Sequence, residues 1–355
     1  MRFKLLLSRL LPVFLALFLL AAILLIVLFC WDAPPALSDE GPEPVEAHLP
    51  AAQEAEREPE PVLAVSANAA RYRGVYTLLL AGRDDGNGCT DTILLGRLDT
   101  AAHSLDLVSL PRDTLINRDW QVRKLNAVYA GTANSGGEPG EGLKAEVRRL
   151  CGFTPDCYAV VDLAVFVEAV DLIGGIEFEL PQAMDYDDAA QDLHIHLPAG
   201  TRRLSGEEAM GLVRFRAGYV NGDLDRVAVQ QRFMDAALTQ LLSLGAVPRL
   251  PELVTLLSSH TDTDLSAANI AWLARQILLC DREKIRFHTA PNTPATVAGL
   301  SYTLLEPEPW LAMINDCLSP YRAPIRMENL DLVWHDAAGF HATSGSLRGA
   351  DYYLK

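Results

Sequence analysis

The chain has 355 residues, half of which are hydrophobic, and a formal net charge of −16. This length accommodates one large domain or two smaller ones. No stretch resembles a basic nucleic-acid-binding patch, so the sequence predicts no nucleic-acid partner. A good part of the negative charge lies in one segment near the N-terminus, and the acidic balance therefore gives no information about ligands.

The N-terminal segment is hydrophobic enough to enter a membrane. Residues 10–29 contain no charge, and a helix of that length rises roughly 30 Å, enough to cross the hydrocarbon core. Basic residues precede it and acidic residues follow, which predicts a cytoplasmic N-terminus (1–9), a transmembrane helix (10–31) and an extracytoplasmic remainder. We therefore expect a single-pass protein of the cell membrane. A cleaved signal peptide is the alternative, but no small-residue cleavage site closes the run.

The next segment, 32–70, is rich in proline and glutamate, as in DEGPEPVEAHLP and EAEREPEP. It lacks apolar periodicity and is too charged to bury a core, so the sequence predicts an extended extracytoplasmic stalk. The remainder is interpreted as one domain over 71–320, followed by a less patterned C-terminal tail over 321–355.

The first half of this domain alternates between strand and helix patterns. VYTLLLAG (75–82), TILLGRLD (92–99) and LDLVSLP (105–111) are predicted strands. A helix-like KLNAVYAGTA, a glycine-rich loop NSGGEPGEG and a helix through LKAEVRRL follow. CYAVVD is then a predicted strand, LAVFVEAVDLI a helix closed by two glycines, and IEFELP another strand.

In the second half, Ser205 and Glu208 form a capping box that opens the helix EEAMGLVRF. A long amphipathic helix is predicted over about 225–243. Two helical stretches, two strand-like stretches and a last helix follow: PELVTLLSS, AANIAWLARQILL, KIRFHTA, LSYTLLE and PWLAMINDCL. Strands that alternate with helices predict an α/β layered fold around a central sheet.

Five cysteines follow the predicted membrane segment. Disulfides are permitted outside the cytosol. Cys151 and Cys157 could close a short loop, and Cys280 could reach Cys317, which would leave Cys89 over. No pair has the CxxC spacing of a structural zinc site, so no such metal is predicted.

Two aspartates, Asp84 and Asp91, flank a glycine-rich loop between two predicted strands in AGRDDGNGCTDT. Two neighbouring carboxylates are costly unless a cation intervenes, and Mg²⁺ accepts one or two carboxylates together with phosphate oxygens and water. The sequence therefore indicates either a metal or phosphate site at a strand end or a β-hairpin with an acidic turn.

Arginines recur at other element ends, where α/β folds build sites. Arg112 and Asp113 directly follow a predicted strand. Arg214 and Arg216 flank Phe215, and in extended geometry they would point the same way and clamp an anion. A strand-end salt bridge and a solvated surface pair are the respective alternatives.

The start of the predicted long helix carries Asp223, Asp225 and Arg226, where acidic side chains also suit the helix dipole without any function. Arg226 and Gln230 share a face at i, i+4 spacing. His194 and His196 alternate as in a strand and offer two metal ligands on one side. No third ligand with suitable spacing is evident, so solvent-facing histidines are favoured.

Taken in order, these segments resemble the LytR-CpsA-Psr family of cell-wall glycopolymer transferases over about 75–242. LLLAGRDDGNGCTDTILL resembles the family's opening strand and G-x-D…R-[ST]-D-T loop, and LVSLPRDT resembles its S-I-P-R-D-T. KLNAVYA, VDLIGGIEFELP, GTRRLSGEEAMGLVRFR and GDLDRVAVQQ resemble its later motifs. A single anchor before an extracytoplasmic domain is also the family's usual layout.

The resemblance implies a three-layer α/β/α domain with a central mixed sheet and a hydrophobic groove for a polyprenyl chain. The implied reaction moves a glycosyl-phosphate, teichoic-acid-like or capsular, from a polyprenyl-pyrophosphate-linked glycopolymer to a peptidoglycan acceptor. The implied cofactor is Mg²⁺ or Mn²⁺. A membrane anchor fits a donor that is itself confined to the membrane.

The resemblance also assigns roles to residues. Asp84 and Asp91 would hold the metal, and Asp223 would be the base for the acceptor hydroxyl. The implied pyrophosphate ligands are Arg112 (also catalytic), Arg214, Arg216, Arg226 and Gln230. The implied supporting residues around these are Asp113, Lys124 and Asn126.

One position departs from the family pattern. Cys89 stands where the family commonly has the arginine before the [ST]-D-T tripeptide, and Arg83 would compensate only if the loop turned it inward. Two alternatives to the transferase therefore stay open. One is a polyprenyl-pyrophosphate hydrolase that uses water as acceptor, and the other is a non-catalytic lipid-linked glycan binder or regulator.

Overall fold

A six-stranded mixed sheet forms the centre of the protein in this computed structural model. The structure describes residues 33–38, 71–83, 88–188, 193–215, 229, 232–233, 235–237, 239–240 and 249–353. The predicted transmembrane helix over 10–31 lies outside these residues. Within them, no helix has the length and hydrophobicity that a membrane span requires.

The strands of the described residues are β1 (Val75–Arg83), β2 (Thr90–Asp99), β3 (Ser104–Leu110), β4 (Cys157–Asp162), β5 (Ile176–Leu180), β6 (Met184–Asp188), β7 (Leu193–Leu197), β8 (Gly200–Leu204), β9 (Thr261–Thr263), β10 (Ile285–Thr289), β11 (Asn292–Val297), β12 (Leu300–Leu305), β13 (Val333–Asp336) and β14 (Gly339–Ala342). The helices are α1 (Ala127–Asn134), α2 (Pro139–Cys151), α3 (Leu163–Leu172), α4 (Gly206–Arg214), α5 (Leu250–His260), α6 (Ala267–Leu278) and α7 (Pro307–Met313). Each strand and helix pattern named from the sequence matches one of these elements, except the long helix over about 225–243, most of which lies outside the described residues.

The order in the central sheet is β10-β3-β2-β1-β4-β9. β10 runs parallel to β3 and β1 runs parallel to β4, whereas the other neighbours are antiparallel. The carboxyl ends of β1, β3, β4 and β10 therefore lie at one edge of the sheet, together with the first residues of β2 and β9. We call this the carboxyl edge.

Helices cover both faces of the sheet, which confirms the α/β/α layering with a central mixed sheet. Leu79 and Ala81 of β1 pack in the same core as residues of α1 and α2. Leu78, on the opposite face of that strand, packs with Leu273 of α6. This alternation follows from the period of two along a strand that is buried on both faces.

The helix α2 begins earlier than the sequence predicts. Pro139 occupies its first turn, where the missing proline N–H costs nothing. Part of the predicted glycine-rich loop is therefore helical. Gly140 is required there because a Cβ at this position would lie 2.0 Å from Cε2 of Tyr158.

A second hydrophobic core, which we call the second core, consists of buried side chains that follow β4 in the chain, from Val170 to Phe233. The helices α3 and α4 contact each other, and the antiparallel strand pairs β5–β8 and β6–β7 contribute buried side chains to the same cluster. The capping box of Ser205 and Glu208 is present at the start of α4. Gly174 and Gly175 have positive φ after α3, as their position in the sequence predicts.

Residues of the predicted stalk and of the predicted C-terminal tail also contact the domain between them. Within the predicted stalk, the Ser38 amide donates to Asp156 Oδ1 at 2.7 Å. Residues 321–353, which the sequence predicts as a C-terminal tail, include the buried Tyr321, Ile325, Leu330 and Leu332 of the main core. These C-terminal residues therefore belong to the folded domain, because their hydrophobic side chains complete its interior.

The five described cysteines are free thiols, so neither of the two disulfides that the sequence permits is formed. Cys151 packs in the core on the α1–α2 face, whereas Cys157 packs in the core on the α6 face. Likewise, Cys317 packs in the core on the α1–α2 face, whereas Cys280 packs in the core on the α6 face. The sheet stands between the partners of each pair, a geometry that short loop spacing does not reveal.

Native thiol alkylation tests this arrangement. Burial raises the pKa of the Cys280 and Cys317 thiols to about 11, and it raises the pKa of the Cys151 and Cys157 thiols further. At pH 8 these thiols are protonated and unreactive. Of the five described cysteines we expect iodoacetamide to modify Cys89 first in the native protein, and all of them once it is denatured without reductant. A mass spectrum with a Cys151–Cys157 or Cys280–Cys317 linked peptide would contradict this.

Candidate functional site

Charged side chains line up along the carboxyl edge of the central sheet. Arg83 ends β1, Asp91 is the second residue of β2, and Arg112 follows β3. Asp162 ends β4, and Asp262 lies on β9. Neighbouring strands lie about 4.8 Å apart, so this row of charges spans adjacent positions across the sheet.

Backbone hydrogen bonds bring three of the sequence motifs together at this edge. The Asn126 amide donates to the Arg112 carbonyl at 3.0 Å, and the Thr90 amide donates to the Asn126 carbonyl at 3.1 Å. The Leu125 amide donates to the Thr114 carbonyl at 2.9 Å. The strand-end loops that carry Asp91 and Arg112 are thus fixed against the turn that precedes α1.

The side chains of these motifs form a chain of ion pairs. Arg112 Nη1 lies 2.5 Å from Asp91 Oδ1, and Arg112 Nε lies 3.8 Å from Asp113 Oδ2. Lys124 Nζ lies 2.8 Å from Asp113 Oδ1. Two carboxylates thus balance two cations, all of them partly exposed to solvent. An anion can displace the carboxylates from the guanidinium and ammonium groups, because these ion pairs are partly exposed. No strand or helix has to unfold for this exchange.

Arg83 lies at the same edge, at the end of β1, and pairs with Asp162 of β4. Its Nη2 is 2.6 Å from Asp162 Oδ1, and its guanidinium carbon is 5.9 Å from the centroid of the Tyr129 ring on α1. From the sequence alone, Arg83 could compensate for the missing arginine only if the loop turned its side chain towards the site, because neighbouring residues on a strand point to opposite faces. Cys89, which departs from the family pattern, is half-buried one residue before Thr90.

A tyrosine pair next to Arg83 is not evident from the sequence. The Tyr129 hydroxyl donates to Asp262 Oδ2 at 2.7 Å, and the Tyr158 hydroxyl donates to Asp262 Oδ1 at 3.3 Å. Burial and the Asp262 carboxylate raise the pKa of both phenols, so both remain protonated donors. No local signal predicts this cluster, because Asp262 is more than a hundred residues from either tyrosine along the chain.

The metal role that the resemblance implies for Asp91 stays a prediction. Its side chain is 39% exposed, and its Oδ1 is held by Arg112. Mg²⁺ needs only one or two protein carboxylates when phosphate and water supply its other ligands. Asp84, the second implied metal ligand, lies outside the described residues.

Of the other predicted anion ligands, only Arg214 lies within the described residues. Arg214 is half-buried in the last turn of α4. The remaining predicted residues lie outside the described part of the chain: Arg216, Asp223, Arg226 and Gln230.

A pocket of about 390 Å³ opens on the second core, between β5 and residues 232–236. Its lining includes Glu177, Glu179 and Asp235 against a single arginine, Arg232. This excess of negative charge makes the pocket unsuited to a polyphosphate ligand.

The profile of the LytR_cpsA_psr family matches residues 45–316. The cell wall biosynthesis protein LcpA of Corynebacterium glutamicum is 33% identical over 206 residues, a match that covers 52% of this chain and 39% of LcpA. The chain therefore spans less than half the length of this relative.

Solved structures share the fold. The crystal structure of B. subtilis TagV superposes with a TM-score of 0.56 at 19% identity, covering 68% of this chain and 95% of TagV. The structure of TagT bound to LI-WTA has a TM-score of 0.53 at 18% identity, covering 68% of this chain and 88% of TagT.

Stability measurements can separate functional from structural arginines. Arg112 forms a partly exposed ion pair, which contributes about 0–1 kcal/mol, so Arg112→Ala should leave the urea midpoint almost unchanged. Arg71 and Asp156 form a pair that is 3% and 0% exposed, and breaking such a pair costs about 3–5 kcal/mol. We expect Arg71→Ala to lower the midpoint strongly. Equal losses in both variants would mean that Arg112 supports the fold.

Proposed function

The chain belongs to the LytR_cpsA_psr family, and we propose that it is a membrane-anchored extracytoplasmic transferase of cell-wall glycopolymers. In this proposal the donor is a glycopolymer on polyprenyl pyrophosphate and the acceptor is a hydroxyl of peptidoglycan. The name of the relative LcpA, a cell wall biosynthesis protein, and the TagT structure with LI-WTA support this class of reaction.

The observation that carries the proposal is the meeting of Asp91, Arg112, Asp113 and Lys124 at the carboxyl edge. Guanidinium groups bind phosphate through paired hydrogen bonds, and Lys124 adds a point charge. A diphosphate that takes the place of the carboxylates on these cations adds negative charge to a balanced group. A divalent cation on Asp91 would offset that charge, so the residues present fit Mg²⁺.

The reaction needs little covalent chemistry from the protein. The acceptor oxygen forms a bond to the glycan-side phosphorus, the bridging P–O bond breaks, and polyprenyl phosphate leaves. Arg112 and Lys124 would stabilise the charge that develops on the phosphoryl oxygens. The acceptor proton would go to Asp223 in this proposal. When bound, Mg²⁺ would supply further charge neutralisation.

Turnover by the full-length protein tests this proposal. We would incubate it in detergent with Mg²⁺ and a lipid-linked glycopolymer, with and without peptidoglycan fragments, and detect the conjugate by mass spectrometry. We expect acceptor-dependent conjugate, and we expect Arg112→Ala to reduce it at least about a hundredfold, as the loss of one transition-state donor does. Arg282 has an exposed carboxylate partner too, but it lies before β10 at the opposite edge, so Arg282→Ala should be as active as wild type.

Other outcomes of this assay identify the alternatives. Phosphate release that is independent of acceptor, with no conjugate, would indicate a pyrophosphate hydrolase. Lipid binding without turnover, with activity gained in Cys89→Arg, would indicate a non-catalytic binder that lacks the arginine before the Thr90–Asp91 pair. Unchanged rates in Arg112→Ala would overturn the assignment of the site.

Metal titration tests Asp91 separately. Asp91→Asn removes a charged ligand but keeps its shape, so we expect the Mg²⁺ concentration for half-maximal turnover to rise about tenfold, which corresponds to about 1.4 kcal/mol. Asp99 lies at the other end of β2 beside Arg97, and Asp99→Asn is the matched control. If both variants titrate like wild type, Asp91 is only the structural partner of Arg112.

A further inference from the structure

The outward face of the β6–β7 hairpin carries four potential metal ligands. In the antiparallel register His196 lies opposite Asp185, and His194 lies opposite Asp187. Residues two apart on a strand share a face, so all four side chains stand on the same side of the hairpin. All four residues are exposed to solvent.

The inward face of the hairpin fixes this register. Met184, Ile195 and Leu197 are buried in the second core. A slip by one residue would move these side chains into solvent and the charged ones into the core, so the pairing is strongly specified. The backbone positions of the four polar residues are therefore held by the core beneath them.

The ligand atoms of three residues converge. One atom from each of Asp187, His194 and His196 lies within 4.8 Å of the others. His196 Nε2 is 3.4 Å from Asp187 Oδ1, which is about the separation of two ligand atoms on one tetrahedral Zn²⁺. His194 Nδ1 forms a hydrogen bond of 2.5 Å with the same carboxylate oxygen, which a bound ion would replace.

The fourth residue orients one of the ligands. Asp185 Oδ1 accepts a hydrogen bond from His196 Nδ1 at 2.5 Å, which leaves Nε2 of that ring directed to Asp187. Metal-binding histidines usually donate their second ring N–H to a carboxylate, which fixes the tautomer and the ring. Asp185 is thus a positioning residue for His196.

We propose that Asp187, His194 and His196 bind one divalent transition-metal ion of the Zn²⁺ class on the β6–β7 hairpin, with Asp185 orienting His196. This site is separate from the carboxyl edge and does not rest on the transferase assignment. The sequence offers only the two histidines. The third ligand becomes evident when strand pairing places Asp187 opposite His194.

The donor set determines which metal fits. Two imidazoles and a carboxylate suit Zn²⁺, Cu²⁺ or Ni²⁺, whereas Mg²⁺ and Ca²⁺ prefer oxygen ligands alone. Three protein ligands leave a fourth tetrahedral position for water or for a group from a partner. A bound ion would join β6 to β7 and stabilise the native state by mass action.

Equilibrium dialysis against Zn²⁺, with metal content measured by mass spectrometry, tests this site. We would use metal-stripped full-length protein without a polyhistidine tag, in excess Mg²⁺. We expect one Zn²⁺ per chain in the wild type, and loss of this Zn²⁺ in both His194→Ala and His196→Ala. His341 is half-exposed on β14, and its Nε2 lies 2.9 Å from Asp336 Oδ1 on β13. His341→Ala is therefore the control that removes a histidine–aspartate pair elsewhere, and it should retain the Zn²⁺.

Further readouts keep the test specific. Thermal unfolding without metal should be the same in the wild type, His194→Ala and His196→Ala, since both histidines are exposed. Added Zn²⁺ should raise the midpoint of the wild type and of His341→Ala, but not of either ligand variant. Asp185→Asn should retain one Zn²⁺ with an affinity about 10–100-fold lower. The proposal is wrong if the wild type binds no Zn²⁺, or if both histidine variants bind it as the wild type does.

Discussion

The Asn126 backbone joins the two strand-end loops of the candidate site. Its amide donates to the carbonyl of Arg112, and its carbonyl accepts from the amide of Thr90. These bonds hold Arg112 beside Asp91, although the two residues are 21 positions apart along the chain. Lys124, two residues before Asn126, is placed on Asp113 by the same turn. The spacing of the charges thus depends on backbone geometry and not on the side chains themselves.

The carboxyl edge is built to exchange ionic partners. Its carboxylates and cations neutralise each other in partly exposed positions, where ion pairs are weak and can be replaced. The buried pair of Arg71 and Asp156 is the opposite case, since it is enclosed and supports the fold. The proposed diphosphate site needs the first arrangement, because the free protein must hold Arg112 in place with partners that a ligand can displace.

Sequence patterns predict the elements well where the signal is local. The strands β1 to β3 follow from apolar runs, and α4 follows from its capping box. The placement of Asp91 and Arg112 in one site comes from the family resemblance and not from a local pattern. Contacts between distant segments are not predictable in this way. The burial of Cys151 and Cys157 on opposite faces of the sheet, and the position of Asp187 across from His194, both depend on strand pairing.

A crystal structure of the protein with a short-chain polyprenyl diphosphate and Mg²⁺ tests the central claim most directly. We expect the diphosphate at the carboxyl edge, with its oxygens on Arg112 and Lys124 and with Asp91 released from Arg112 to the metal. A diphosphate bound elsewhere, with the pair of Asp91 and Arg112 still intact, would contradict the account.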